Sequence, residues 1–574
     1  MYSRFSVALA VVSLAVAGCG EDAPTITADA VYVNGTVITM NDVAPRAEAV
    51  AVKDGRILAV GTRADIEARV GEATEVNDLA GATLLPGFID SHGHLSMVGM
   101  IAVAANLGAP PDGAVRSIAD LQQELRNWMA TSDIPAKYGL VIGWGYDESQ
   151  LAEQRHPTRD DLDAVSDTLP IYVVHQSGHL GAGNSVALAQ FGIDATTPDP
   201  EGGVIRRRDG SDEPNGVFEE TAHNSMAFGL LTPNLIPGEG PALIDAAQEL
   251  YASFGYTTAQ DGAVIPANID DYTAAAEAGR LKLDVVAYAV AQMLGDSAFM
   301  SGPYAGRDYR NRFRIGGIKL TLDGSPQGKT AWLSQPYFVP PPGQDATYAG
   351  YPIIPDEALR GYIGRAYDNG WQVLAHTNGD AAVEQLLDAV DDVSEGREPA
   401  DRRTVSIHAQ TARADQLDRM KALGILPSFF TAHTFYWGDW HRDSVLGPDR
   451  AENISPTGWA LERGMRFTAH HDTPVIPPNS MRVLASTVNR TTRSGRVIGA
   501  AHRVDPEIAL KAMTSWAAWQ NFEEDDKGTI EAGKLADLVV LSQDPTTVDP
   551  AAIGAIRVLE TIKEGRTVYR AEGP

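Results

Sequence analysis

The chain has 574 residues, of which 44% are hydrophobic and 21% are charged, a globular composition that excludes a disordered, collagen-like or multi-span membrane protein. The 46 basic and 75 acidic residues give a net charge of −29, which repels phosphate backbones and argues against nucleic acid as a partner. The single cysteine excludes an internal disulfide bond and a zinc site built from four cysteines.

The first 19 residues have the pattern of a bacterial lipoprotein signal. Arg4 precedes an apolar run that ends at Ala17 and is too short to span a bilayer. The tetrad Val16-Ala17-Gly18-Cys19 resembles a lipobox, whose cysteine is lipidated, and Gly20 after it resembles the outer-membrane type. An ordinary signal peptide with a chance cysteine is the alternative. We predict a signal peptide over residues 1–19, a tether over residues 20–27 and lipid attachment at Cys19 to the bacterial cell envelope, at the outer membrane or the periplasmic side.

Short β-strands are predicted at both ends of the chain. Between residues 28 and 83, apolar segments are separated by Asn34-Gly35 and Asp54-Gly55, dipeptides typical of hairpin turns. Residues 523–574 have the same pattern. Because neither end has enough strands to close a core alone, we predict that both ends form one small β-sandwich. Two independent hairpins packed on a neighbouring domain are the alternative.

Residues 84–522 alternate strand-like and helix-like segments, which favours a parallel α/β architecture. Eight such units predict a (β/α)8 TIM-like barrel. A doubly wound open sheet is the alternative, but no glycine-rich dinucleotide loop follows the first strand. The candidate strands begin near Leu84, Tyr256, Leu283, Ile315, Gln372, Val405, Ile425 and Phe467.

Residues from about 106 to 250 do not fit this alternation. They contain a predicted helix over 118–129 and a predicted hairpin around Arg208-Asp209-Gly210. We interpret this segment as an insertion that covers the mouth of the barrel.

The strongest local pattern is an apolar strand that leads into His92 and His94. Side chains two residues apart on a strand point to the same face, so both rings are expected to face the barrel lumen. Barrel enzymes keep their sites at this carboxyl end of the strands. By itself the His-x-His pattern is weak, and its position after an apolar strand is what makes it a candidate site.

Four later residues lie at equivalent strand ends. Lys319 interrupts a buried strand, where a lone lysine is costly unless its charge is removed or paired, and a salt bridge to Asp323 is the alternative to a role at the site. His376, His408 and Asp472 each close or follow an apolar strand. A single buried histidine is more often a hydrogen-bonded core residue than a ligand. The set of six at strand ends instead favours one shared site.

This order of residues along the barrel resembles the amidohydrolase superfamily. Several segments are similar to its YtcJ-like amidohydrolase 3 branch, which includes N-substituted formamide deformylases. The similarity extends over nearly the whole chain after the tether. One departure is Ile407, where the branch has a glutamate before the histidine of strand six. The similar segments are Gly143-Trp144-Gly145-Tyr146-Asp147, Ser177-Gly178-His179 with Asn184-Ser185, Ile318-Lys319 with Asp323-Gly324-Ser325, His376-Thr377-Asn378-Gly379-Asp380 and residues 527–541.

The resemblance implies a metal-dependent hydrolase of a carbon–nitrogen bond. Its substrate would be a small amide or N-substituted formamide, attacked by a metal-activated water, and Asp472 would serve as general base and then general acid. The metal would be divalent, zinc by the donor types, with one or two ions and with Lys319 carboxylated. The implied metal ligands are His92, His94, Lys319, His376, His408 and Asp472.

His179 is the candidate catalytic residue in the insertion. It lies in a loop flanked by glycine, where it either donates to the developing oxyanion or stabilises its own turn. Glu219 and Glu220 either face the mouth of the barrel or form a solvated edge, which is the commoner arrangement for paired acids and the one expected here; their roles stay open. Hydrolysis of an ester, lactone or cyclic amidine at the same site and a non-catalytic ligand-binding lipoprotein remain as alternatives. The sequence does not identify the substrate or the roles of His433, His470 and His471. It also leaves open whether the protein is a monomer or a homodimer.

Overall fold

A computed structural model of the protein describes residues 26–102, 104–235, 240–294 and 298–572. The predicted signal peptide, including Cys19, lies outside the described residues. Within the described part of the chain, no helix combines the length and the apolar character that crossing a membrane requires.

Twenty-four β-strands occur in the described residues. In chain order they are β1 (Ala30–Val33), β2 (Thr36–Ile38), β3 (Arg46–Ala47), β4 (Ala49–Lys53), β5 (Arg56–Gly61), β6 (Glu75–Asp78), β7 (Thr83–Pro86), β8 (Phe88–Ile89), β9 (Ala105–Asn106), β10 (Val141–Tyr146), β11 (Ile171–His175), β12 (Leu180–Gly183), β13 (Gly203–Arg207), β14 (Pro214–Glu219), β15 (Tyr256–Val264), β16 (Asp284–Val290), β17 (Phe313–Thr321), β18 (Gln372–Thr377), β19 (Val405–His408), β20 (Leu426–Phe429), β21 (Thr468–Ala469), β22 (Leu538–Leu541), β23 (Val558–Lys563) and β24 (Arg566–Arg570).

Eighteen α-helices occur in the same residues. They are α1 (Arg63–Glu67), α2 (Leu95–Ala102), α3 (Ile118–Thr131), α4 (Ile134–Tyr138), α5 (Arg159–Asp163), α6 (Ser185–Gln190), α7 (Glu220–Leu235), α8 (Gly240–Ser253), α9 (Pro266–Glu277), α10 (Asp356–Asp368), α11 (Asp380–Ser394), α12 (Ala414–Leu423), α13 (His433–Trp440), α14 (Pro448–Ala451), α15 (Thr457–Glu462), α16 (Ser480–Asn489), α17 (Pro506–Met513) and α18 (Ser515–Gln520).

Eight parallel strands form a curled central sheet in the order β8-β15-β16-β17-β18-β19-β20-β21. The two edges of the sheet meet through backbone hydrogen bonds beyond the last strand residues. His94 N–H donates to Thr473 O at 2.7 Å, and Asp472 N–H donates to His92 O at 3.1 Å. The prediction of a TIM-barrel-like α/β fold is therefore confirmed, and the carboxyl ends of all eight strands face the same opening.

The first barrel strand begins later than predicted. The segment at Leu84 belongs to β7, which pairs with β2 and β22, and the barrel strand β8 starts at Phe88. Gly87 lies where the chain passes from one sheet to the other, and a Cβ there would lie 2.3 Å from Cγ2 of Thr257. The Pro86-Gly87 dipeptide between the two apolar segments is the sequence signal of this change of sheet, which the prediction of one continuous strand missed. The other seven barrel strands begin within two residues of their predicted positions.

Strands from both chain ends pair in one six-stranded sheet, in the order β24-β23-β22-β7-β2-β3. A four-stranded sheet, β5-β4-β1-β6, is built from the N-terminal part alone. One apolar cluster contains side chains of both sheets, among them Tyr32, Val50 and Leu538. The predicted hairpin at Asn34-Gly35 is wrong, because the strands on its two sides lie in different sheets. The hairpin predicted at Asp54-Gly55 is observed between β4 and β5.

The chain between β8 and β15 forms a separate sheet with its own apolar clusters. Its order is β13-β14-β12-β11-β10-β9. The predicted helix is observed as α3, where the Ser117 hydroxyl caps the N-terminus by accepting from Asp120 N–H. The predicted hairpin is observed between β13 and β14.

Candidate active site and metal centre

The six predicted site residues lie at the carboxyl end of the barrel, where three of the histidines lie close to the carboxylate of Asp472. Oδ1 of Asp472 lies 3.3 Å from Nε2 of His92 and 3.2 Å from Nε2 of His94. Oδ2 of Asp472 lies 3.7 Å from Nε2 of His408. Their positions in the fold are His92 and His94 after β8, Lys319 in β17, His376 in β18, His408 at the end of β19 and Asp472 after β21.

The donor atoms have the spacing that a metal ion requires. Ligand atoms about 2.1 Å from a tetrahedral ion lie about 3.4 Å from one another, close to the distances around Asp472 Oδ1. That oxygen and Nδ1 of His94 are buried, yet neither has a hydrogen-bond partner among the described residues. A buried polar atom without a partner is costly, and a bound cation would satisfy Asp472. The donor set of imidazole nitrogens and a carboxylate therefore fits a divalent metal.

The hydrogen bonds of His92 and His376 fix which ring nitrogen faces the site. Nδ1 of His92 lies 3.0 Å from Oε1 of Gln260, and Nδ1 of His376 lies 3.1 Å from Oδ1 of Asp323. Because both partners are acceptors, each Nδ1 carries the proton and each Nε2 keeps its lone pair. Nδ1 of His408 lies 3.0 Å from Nε2 of His470.

Burial keeps these rings neutral. It lowers the pKa of His92, His376 and His408 well below the usual range, and the neighbouring positive charges add to this effect. A neutral imidazole is the form that binds a metal.

Lys319 contacts His92 rather than Asp323. Its Nζ lies 3.0 Å from Nε2 of His92, and burial lowers the pKa of the lysine to about 8. Asp323 is instead held by His376 and by three backbone N–H groups, from Trp332, Asn378 and Gly379. The alternative of a Lys319–Asp323 salt bridge is therefore wrong, because Asp323 faces the neighbouring strand.

Two of the six residues have backbone strain. His408 has φ 70° and Asp472 has φ 54°, the left-handed region that residues other than glycine rarely adopt. Such a conformation costs of order 1–3 kcal/mol and persists where the surrounding structure imposes it, most often at functional sites.

His179 reaches the same opening from the insertion. It follows the loop after β11, and its ring centroid lies 4.8 Å from that of His376. Nδ1 of His179 lies 2.7 Å from Oε2 of Glu220. Burial acts to lower the pKa of His179, but the Glu220 carboxylate outweighs it and the net shift is upward. The prediction that Glu219 and Glu220 form a solvated edge is wrong, because both are buried and Glu219 pairs with Arg206 and Tyr351.

Sequence analysis did not find the residues that orient the histidines. Gln260 and Asp323 are polar residues near the carboxyl ends of buried strands, which is the signal that could have identified them. His470 had no assigned role and supports His408, while its own Nδ1 lies 2.9 Å from Oγ of Ser428. His471 accepts from Thr473 N–H and faces Asp90, and His433 lies against His441. Among the described residues, these ring contacts of His471 and His433 are therefore with residues outside the proposed ligand set.

A cavity of about 280 Å³ opens onto Asp472, His94, Lys319 and His179. Most of its outer wall is apolar. Lys319, at its deep end, is the single lysine or arginine among the described lining residues, whereas Glu220 and Asp271 are acidic. The apolar wall includes Met97, Trp144, Leu243, Ile244, Ile265 and Met293.

The fold and the site define a barrel hydrolase with a candidate metal centre, and the comparisons with known proteins identify its family. Residues 75–569 match the amidohydrolase family, so the chain belongs to it. The predicted family, its YtcJ-like branch and the class of hydrolase, acting on carbon–nitrogen bonds other than peptide bonds, are confirmed.

Three similar proteins cover nearly the whole chain. The chain is 28% identical to N-substituted formamide deformylase of Arthrobacter pascens, over 95% of this chain and 99% of that protein. It is 27% identical to the candidate amidohydrolase YtcJ of Bacillus subtilis (strain 168), over 94% of this chain and 99% of that protein. A metal-dependent hydrolase of uncharacterised function from Pyrococcus horikoshii OT3 has a similar fold, with a TM-score of 0.70 and 24% identity. The match covers 91% of this chain and 99% of that protein.

Proposed function

We propose that the protein is a metal-dependent amidohydrolase that cleaves the C–N bond of a small amide, of the N-substituted formamide type. The observation that supports this most directly is that Nε2 of His92, of His94 and of His408 lies 3.2 to 3.7 Å from an oxygen of the Asp472 carboxylate. The metal ligands are His92, His94, Lys319, His376, His408 and Asp472, and zinc is the ion that suits imidazole and carboxylate donors. A divalent ion held by these residues would polarise the scissile carbonyl and lower the pKa of a bound water.

Carboxylation of Lys319 fits this site. Its amine is fully buried among histidines, and reaction of the neutral amine with CO₂ gives a carbamate and releases one proton. The product is an anion with two oxygens, which removes the cost of an unpaired buried lysine. Mass spectrometry of the intact native protein would show the mass of one added CO₂.

Asp472 moves the proton in this reaction. Its carboxylate is central to the site and close to three imidazole rings, so it takes the proton as water adds to the carbonyl carbon. It then gives that proton to the nitrogen as the C–N bond breaks, which releases an acid and an amine. The His179 ring faces the same cavity and donates a hydrogen bond to the oxyanion that forms.

The cavity favours an uncharged substrate. Apolar side chains form its outer wall, and the acidic groups of Glu220 and Asp271 disfavour a carboxylate. The net charge of −29 also repels negatively charged substrates at long range. Formamides and acyl amides of neutral amines are therefore the first substrates to test, with their esters and carboxylate-bearing analogues as comparisons.

Replacing Asp472 tests the proposal. We expect Asp472→Asn to reduce kcat about 10²- to 10⁴-fold, because the amide has no basic oxygen for proton transfer. Asp388→Asn, a change to an exposed carboxylate on α11, is the matched control and should keep full activity. Chelation should abolish turnover and zinc should restore it. Near-normal kcat in Asp472→Asn, or turnover unaffected by chelation, would contradict the proposed mechanism.

The chain ends carry two further proposals. We propose that the two sheets built from the chain ends form a β-sandwich beside the barrel, supported by their shared apolar cluster. We also propose that Cys19 carries a lipid that tethers the enzyme to the bacterial cell envelope, supported by the tetrad that precedes it.

A further inference from the structure

A second group of polar side chains lies beside the active site, outside the proposed ligand set. Asp147 and Glu148 follow β10, and His175 ends β11. All three are buried, and one donor atom from each lies within 4.8 Å of the others. Such a group either holds a second metal ion or forms a hydrogen-bond network that holds the backbone.

The hydrogen bonds of Asp147 favour a network. Its Oδ1 accepts from the backbone N–H of Ser149 at 2.9 Å and from the Ser149 hydroxyl at 2.6 Å. Its Oδ2 accepts from Nε1 of Trp437 on α13. Both oxygens therefore already have donors, and the carboxylate links the insertion to the barrel.

The orientation of His175 also favours a network. The backbone N–H of Ser177 donates to Nδ1 of His175 at 3.1 Å, so Nδ1 carries no proton. Nε2 on the other side of the ring therefore carries a proton and lies 2.7 Å from Oε2 of Glu148. A metal-bound histidine has the opposite arrangement, because its lone pair faces the ion and its other nitrogen donates.

This network continues to His179. The Ser177 hydroxyl, 2.8 Å from Nδ1 of His175, accepts from the backbone N–H of His179 at 3.1 Å. On its other side the loop is tied to the barrel, since Nε2 of Gln176 donates to O of Val475 at 3.0 Å, three residues after Asp472. The loop from 175 to 179 is therefore fixed from two directions.

We propose that Glu148, His175 and Ser177 are positioning residues that hold His179 over the reacting carbonyl. Glu148 orients the His175 ring, His175 orients the Ser177 hydroxyl, and Ser177 holds the backbone of His179. This inference rests on the proposed role of His179 as an oxyanion donor. A displacement of about 1 Å at such a group can reduce the rate about 10²-fold.

A double-mutant cycle tests this coupling. We expect Ser177→Ala to reduce kcat about tenfold with little change in KM, and Ser177→Thr to restore much of it because threonine keeps the hydroxyl. In a His179→Ala background, Ser177→Ala should cause no further loss. Glu148→Gln should behave like Ser177→Ala and leave the number of metal ions per chain unchanged. Ser185→Ala, which removes an exposed hydroxyl at the start of α6, is the matched control.

Each contrary result has a distinct meaning. If Ser177→Ala reduces kcat as much in the His179→Ala background as in the parent, the inference is overturned. A change in KM alone also overturns it, because that would indicate that Ser177 contacts the substrate. Loss of a metal equivalent in Glu148→Gln would show that the cluster is a metal site. If His179→Ala itself has full activity, the proposed oxyanion role fails and the positioning role fails with it, whereas the role of Asp472 still stands.

Discussion

The position of His92 depends on a glycine in the neighbouring strand. A Cβ added to Gly262 in β15 would lie 2.4 Å from Cε1 and 2.7 Å from Nδ1 of His92. Ordinary contact between carbon atoms is about 3.5 Å, so the Gly262→Ala variant must move the ring by about 1 Å. The ring is fully buried and its Nδ1 bonds Gln260 at 3.0 Å, so such a shift breaks that bond and displaces Nε2 from Asp472.

We expect Gly262→Ala to weaken metal binding about 10- to 100-fold and to reduce kcat/KM about 10²-fold. Overpacking should also lower the free energy of unfolding by about 1–3 kcal/mol. The assays are metal content per chain after dialysis against buffered zinc, steady-state kinetics and denaturant unfolding.

The matched control is Gly361→Ala on α10. A Cβ there meets no atom within 4 Å, so this variant should keep its metal and gain about 0.5–1 kcal/mol of stability. A folded Gly262→Ala protein that binds zinc as tightly as the parent and turns over as fast would refute the reasoning, because His92 would then not be a ligand held in place by packing.

Two further predictions concern buried charge. Nζ of Lys563 lies 2.6 Å from a carboxylate oxygen of both Asp284 and Asp537, so Lys563→Met should lower the free energy of unfolding by about 3–5 kcal/mol in urea titrations. Lys53→Met, which removes an exposed ion pair, is the control and should change the free energy of unfolding little; equal losses in the two variants would contradict the prediction. Burial lowers the pKa of His223 to about 3, so as the pH falls this histidine takes up a proton in the unfolded chain before it does so in the folded protein. The free energy of unfolding should therefore fall by about 2 kcal/mol between pH 7 and pH 5. A His223→Gln variant whose stability depends on pH as steeply as that of the parent would refute this prediction.

The clustering of the candidate ligands at one end of the barrel could be predicted because parallel strands share one direction. Every barrel strand runs from the same end, so a polar residue that closes an apolar segment must lie at the common carboxyl edge, whatever the strand order. His376 is the penultimate residue of β18, and His408 is the last residue of β19. The inference needs only the local pattern of each strand, and it therefore survives errors in the position of the first strand.

Pairing between distant segments could not be predicted in this way. The residues around Asn34-Gly35 have the local pattern of a hairpin, but β1 pairs with β4 and β6 while β2 pairs with β3 and β7. Turn propensity reports the local backbone and does not say which sheet receives the next strand.

The His179–Glu220 contact shows how far function depends on such pairing. The two residues are 41 positions apart and meet because β12 and β14 are antiparallel, with Leu180 opposite Glu219. If β14 shifted by one residue against β12, its side chains would exchange faces, and Glu219 instead of Glu220 would point to the cavity. The backbone N–H of Glu220 donates to O of His179 at 2.8 Å, which fixes this register at the point where it matters. Two adjacent glutamates thus differ in their contacts, Glu219 with Arg206 and Glu220 with His179, because of a register that only the folded sheet defines.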